Sequence, residues 1–113
     1  MKLVLSSNQQ VLCSKIRVAD NFVSRTVGLI GTKKLDQEGL FIPRCNWIHT
    51  FFMSLSIDVV YVDRKGSIRK IDHALKPWRV GKPVWSATDV VELPAGFAAL
   101  KDLKVGDTLH VGH

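Results

Sequence analysis

The stretch Ile57-Asp58-Val59-Val60-Tyr61-Val62-Asp63-Arg64-Lys65-Gly66, followed by Ser67 to Asp72, decides how this chain folds. From His49 to Asp63, Phe51, Met53, Leu55, Ile57, Val59 and Tyr61 occupy one parity, and Phe52, Val60 and Val62 the other. Side chains alternate between the two faces of an extended chain, so a run apolar on both parities predicts a central strand covered on each side. Asp63-Arg64-Lys65-Gly66 then reads as a hairpin turn whose glycine suits a left-handed residue. Ser67 to Asp72 is predicted to return as the partner strand.

The same reasoning extends in both directions. Residues 2–6 and 11–18 are β-branched and apolar runs around Asn8-Gln9-Gln10, which predicts an opening hairpin. In the second run Leu12, Ile16 and Val18 share one parity and Lys15 and Arg17 the other, giving a core face and a wet face. Asp20 is placed to cap a short helix, Asn21 to Ile30, closed by Gly31. Gly39-Leu40-Phe41-Ile42 reads as a short buried strand stopped by Pro43. Residues 73–86 read as a surface excursion pinned by Trp78 and Trp85. Ala87 to Leu93 is predicted as a strand ending at Pro94, and Phe97, Leu100 and Leu103 as one face of a second short helix. Thr108 to Val111 closes the chain as a strand.

The expectation is an α+β fold in a single compact domain spanning residues 1–113. It is mainly antiparallel, with about seven strands in a barrel-like or sandwich arrangement and two short helices. The chain has 113 residues with 46% hydrophobic and 23% charged side chains, enough for one ordinary core. Met1-Lys2-Leu3-Val4-Leu5 passes directly into Ser6-Ser7-Asn8, without the apolar run of a secretory signal. Apolar runs such as Val59-Val60-Tyr61-Val62 are far too short for a membrane span, and a cytoplasmic location is expected. Cys13 and Cys45 have neither zinc-finger spacing nor a disulfide framework, so two reduced thiols are expected, with a Cys13–Cys45 bridge as the alternative.

Two acids stand out against this background. Asp58 and Glu92 each lie between branched apolar residues in strands that read as buried, and a buried carboxylate without a partner is expensive. Either each receives backbone or arginine hydrogen bonds, or both belong to a cleft. The cleft reading combines His49, Asp58 and Glu92 with Arg25 or Arg79, and Phe51, Phe52 and Trp78 as apolar walls. A histidine held by a carboxylate is also the arrangement of a general base.

Cys45, His49 and Met53 superficially suit a blue-copper loop. Such a site needs a second histidine, usually well upstream, and every other histidine here lies downstream of His49. No G-x-S-x-G elbow and no glycine-rich phosphate loop occurs, so no metal and no cofactor is expected. The excess of 16 Lys and Arg over 10 Asp and Glu gives a net charge of +6, concentrated at Lys33-Lys34, at 64–70 and at 76–82. Cationic turns beside Trp78 and Trp85 could engage single-stranded nucleic acid, although charged turns are more commonly just solvated.

Several of these motifs together resemble the bacterial and archaeal domain of unknown function 192. The similarity rests on Arg25-Thr26-Val27-Gly28-Leu29, Gly39-Leu40-Phe41, Cys45 through His49-Thr50-Phe51-Phe52-Met53, and Ile57-Asp58-Val59-Val60-Tyr61-Val62-Asp63. It continues through Lys76-Pro77-Trp78-Arg79, Val91-Glu92-Leu93-Pro94-Ala95-Gly96 and Gly106-Asp107. Ile30 and Ser56 stand where the family often has Met and Pro. The resemblance implies a compact, mainly antiparallel fold and supplies no reaction. The functional expectation is therefore a small non-enzymatic binding or accessory module for a small-molecule or protein partner, with nucleic acid disfavoured. A hydrolase- or lyase-type enzyme using His49 with Asp58 or Glu92 is the first alternative. An interaction module using the basic hairpin is the second.

Overall fold

In the computed structural model, which describes residues 1–18, 39–50 and 55–112, two sheets enclose the core. The strands are β1 (Lys2–Leu5), β2 (Gln10–Cys13), β3 (Arg17–Val18), β4 (Leu40–Ile42), β5 (Ile57–Val62), β6 (Ile68–Leu75), β7 (Asp89–Pro94) and β8 (Leu109–Gly112). One helical turn, α1 (Phe97–Leu100), is present among the described residues. The smaller sheet has the order β2-β1-β8 and the larger β3-β4-β7-β5-β6. Every pairing is antiparallel except β3 with β4. The sheets do not close into a barrel, which settles that part of the expectation in favour of two packed layers. The helix expected over Asn21 to Ile30 lies outside the described residues.

β5 is buried at all six of its positions, as a strand apolar on both parities should be. Asp58, Val60 and Val62 face the smaller sheet; Val60 and Val62 join a cluster with Leu3, Leu5, Leu12, Ile16, Val91, Leu93 and Ala98. Ile57, Val59 and Tyr61 face the other way, into a cluster with Leu40, Ile42, Ile48, Ala87 and Val90. Burying a side chain of this size contributes roughly 1.5–3 kcal/mol, so two such faces make this strand the axis of the domain. Cys13 packs in the first cluster and Cys45 against the second, and they form no disulfide.

Four local readings change. The central strand starts at Ile57 rather than His49, and His49 instead forms an isolated bridge to Val80. The run 11–18 is divided between the two sheets, β2 belonging to one and β3 to the other, with the Ile16 N–H donating to the Met1 carbonyl at 2.9 Å. Leu100 is exposed while Ala98 is fully buried, because the helix stops after one turn and the chain turns away through Asp102 at φ 55°. Residues 73–86 are not pinned by the rings of Trp78 and Trp85, which both face solvent. That segment is held by backbone hydrogen bonds to residues 46–50: Thr50 N–H to the Arg79 carbonyl, Gly81 N–H to the Ile48 carbonyl and Val84 N–H to the Asn46 carbonyl.

The hairpin turn forms as expected. Gly66 has φ 84°, donates to the Asp63 carbonyl at 2.9 Å and accepts from the Leu109 N–H at 2.8 Å. A Cβ here would both strain the backbone and run into the Leu109 carbonyl oxygen. Gly66→Ala is expected to destabilise the protein by about 2 kcal/mol or more in urea unfolding, because neither the left-handed backbone nor the carbonyl can give cheaply.

Candidate functional site

The two buried acids serve different ends. Asp58 is fully buried, and each of its carboxylate oxygens accepts a backbone N–H: Oδ1 from Ala74 at 2.8 Å and Oδ2 from Ala98 at 2.9 Å. Both donors need it. The β5–β6 register slips between Ile57 and Val59, opposite Ala74, which sits at φ 50°. A bulge of this kind takes an N–H out of the ladder, and Asp58, the β5 residue facing the slip, takes it up. Ala98 lies in the first turn of α1, whose N-cap Gly96 has no side chain to offer. Asp58 therefore caps a helix 40 residues away in sequence, as an N-cap side chain would from next door. This is the satisfied, structural outcome for Asp58.

Glu92 stands on the opposite face. In the β5–β7 register Asp58 pairs with Leu93, and Glu92 with Val59, so the two carboxyls project to opposite sides of the sheet. The predicted cleft holding both is corrected by this one-residue difference in parity. Glu92 is 1% exposed, and its Oε1 has no hydrogen-bond partner among the described residues. Burial pushes its pKa up to about 8, while Arg17 acts in the opposite direction. The side chain is thus a neutral acid at pH 7, and a neutral carboxyl can both donate and accept.

Register places the surroundings of Glu92. Arg17, Leu40, Glu92, Val59 and Asp72 form one row across β3, β4, β7, β5 and β6. One step along the same face, the buried Tyr61 donates its hydroxyl to Asp72 Oδ2 at 3.0 Å, and Lys70 Nζ lies 3.3 Å from Asp72 Oδ1. Burial, followed by the Asp72 charge, raises the Tyr61 pKa, so the phenol keeps its proton. Arg17, Tyr61 and Asp72 were invisible as site residues in the sequence, since only a known register brings them beside Glu92.

His49, Trp78 and Arg79 come together on the layer that packs over this face, because Ile48, Val84 and Ala87 of that layer join the Glu92-side cluster. The layer is knotted by Thr50, a fully buried hydroxyl that donates to the Lys76 carbonyl at 2.6 Å and accepts from the Arg79 N–H at 2.8 Å. Arg25 and Phe51, the remaining predicted site residues, lie outside the described residues. No group of three or more metal-ligating side chains occurs among the described residues.

These features define a mainly antiparallel two-sheet domain with, among the described residues, one short helix, one structural buried acid and one unsatisfied one. The chain belongs to the DUF192 family, described as an uncharacterised ACR, whose model matches residues 3–111. It is 30% identical over 112 residues to a UPF0127 protein of Thermococcus sibiricus, covering 95% of this chain and 72% of that one. It is 34% identical over 97 residues to a UPF0127 protein of Pyrococcus abyssi, covering 82% of each. A crystal structure of a Novosphingobium aromaticivorans protein of unknown function matches with a TM-score of 0.79 and 20% identity, over 97% of this chain and 82% of that one. At that identity the likeness establishes the fold alone. No helix among the described residues is long and apolar enough to cross a membrane.

The Glu92 environment sets a pH dependence. Below about pH 4.5 the carboxyl is protonated in both folded and unfolded chains. From there to about pH 8 the unfolded chain loses the proton while the folded protein keeps it. Stability therefore falls as pH rises across that window, by about 1.4 kcal/mol per unit for this group. Urea unfolding at pH 5 and pH 8 is expected to differ by on the order of 4 kcal/mol more in the wild type than in Glu92→Gln.

Proposed function

We propose that this protein is a small non-enzymatic binding module whose ligand, a small molecule or a segment of a partner protein, hydrogen-bonds to Glu92. The observation that carries the reading is the unpartnered Oε1 of a carboxyl buried in the central strand β7. A buried polar atom without a partner costs about 1–3 kcal/mol, and replacing it by an apolar side chain of similar volume usually recovers that stability. An acid that bears this cost suits a site completed by a ligand. A neutral carboxyl both donates and accepts, so an amide-like or hydroxyl-bearing group is the matching chemistry. The layer carrying His49, Trp78 and Arg79 would supply the other wall.

A thermal-shift screen of amide- and hydroxyl-bearing small molecules at pH 6 tests this. Glu92→Leu is expected to raise the midpoint of the free protein and abolish the ligand shifts, while Glu92→Gln retains part of them. If Glu92→Leu lowers the midpoint, or ligand shifts persist in it, Glu92 is structural and the reading fails. The hydrolase- or lyase-type alternative would now pair His49 with Glu92, since Asp58 is committed to Ala74 and Ala98. It requires turnover that His49→Ala removes without loss of the fold.

A further inference from the structure

All three tryptophans of the chain lie on one paired segment and face solvent. Trp47 is 45% exposed, Trp78 56% and Trp85 85%, against the usual tendency of this residue to be largely covered. They are carried by residues 46–50 and 78–85, which are joined by the backbone bonds at Thr50, Ile48 and Asn46 described above. Lys76, Arg79 and Lys82, all exposed, lie among them. Residues 73–88 and 43–50 contain no Asp or Glu. Beside Trp47 an open concavity of about 690 Å³ is lined by Arg44, Arg64 and Thr88. Asp89 also lines it, but its Oδ1 accepts the Arg44 N–H and its Oδ2 the Thr88 hydroxyl, each at 3.0 Å.

Two details distinguish this surface from an ordinary solvated turn. Trp78 holds φ 62°, a left-handed conformation unfavourable for a bulky residue, stabilised by its N–H donating to the Thr50 carbonyl at 2.9 Å. Trp47 donates its indole N–H to the Gly81 carbonyl at 2.6 Å, so its one polar group is used inside the protein and the ring plane is set in advance. A tryptophan at a lipid interface uses its N–H toward headgroups, and a membrane-inserting surface needs a larger aliphatic area than Val80 provides. Fixed ring faces interleaved with cations suit unpaired bases and their phosphates.

We infer that this surface binds single-stranded nucleic acid without strong sequence preference, bases stacking on Trp47 and Trp85 and phosphates meeting Lys76, Arg79, Lys82 and Arg64. It is the outer side of the layer that carries His49 and Arg79 over the Glu92 face, and it does not use Glu92, so either reading can hold without the other.

Fluorescence anisotropy with labelled oligothymidylate and oligouridylate of about a dozen nucleotides, at 50 and 200 mM salt (roughly 10 Å range of screening at the midpoint), tests this. Binding is expected at the lower salt and should weaken about fiftyfold at the higher, as release of counterions by four cations on a single strand requires. Trp85→Ala should weaken binding about tenfold with an unchanged thermal midpoint, since the side chain is almost wholly in water. Arg79→Glu with Lys82→Glu should flatten the salt dependence. Leu100→Ser, an exposed apolar residue on α1, serves as the control and should change nothing. The proposal is overturned if no binding occurs at 50 mM salt or if Trp85→Ala binds like the wild type. It is equally overturned if the surface variants affect binding to phosphatidylserine vesicles but not to oligonucleotides.

Discussion

The carboxylate of Asp58 is the interaction on which the layering of this protein depends. It projects from the strand that carries both apolar faces, and it takes up the N–H freed by the bulge in β6 and the N–H at the start of α1. Without it the helical turn would leave a buried donor unpaired and the bulge would lose the acceptor of its Ala74 N–H, and Ala98 could not pack in the first cluster at so little cost. One side chain thus joins three elements that are distant in sequence. A polar group in an apolar strand is here a condition of the packing.

Glu92 has the opposite relation to the fold. It shares Asp58's signature in sequence, an acid between branched apolar residues, and it lies one register step away on the neighbouring strand. Yet it faces the other cluster, leaves one oxygen without a partner among the described residues, and holds its proton at neutral pH. The asymmetry between the two acids is what separates a structural carboxyl from a candidate site. Membership of a family without an assigned activity leaves that distinction to chemistry rather than to precedent.

The basic surplus also acquires a location. The net charge of +6 is not spread evenly, because an acid-free segment carries Lys76, Arg79 and Lys82 together with exposed indoles. Thr50 makes that arrangement by closing the turn around Lys76 and Arg79 with a buried hydroxyl. The same turn directs Trp78 outward, so a core contact shapes a surface feature. Backbone bonds and the Trp47 indole order the paired segment, while the ring of Trp85 stays almost wholly in water.

By itself the sequence determined that β5 would be a strand buried on both faces, that Gly66 would close a hairpin, that the architecture would be mainly antiparallel, and that Asp58 and Glu92 would need explaining. Those features are local: parity, turn chemistry and the cost of a buried charge are properties of a few consecutive residues. Only the tertiary structure decided that Asp58 is satisfied and Glu92 is not, that Trp78 and Trp85 face water, that Leu100 leaves the core, and that Arg17, Tyr61 and Asp72 accompany Glu92. Each of these turns on register between distant strands, where a shift of one residue moves a side chain to the other side of the sheet, and no local pattern in the chain encodes that alignment.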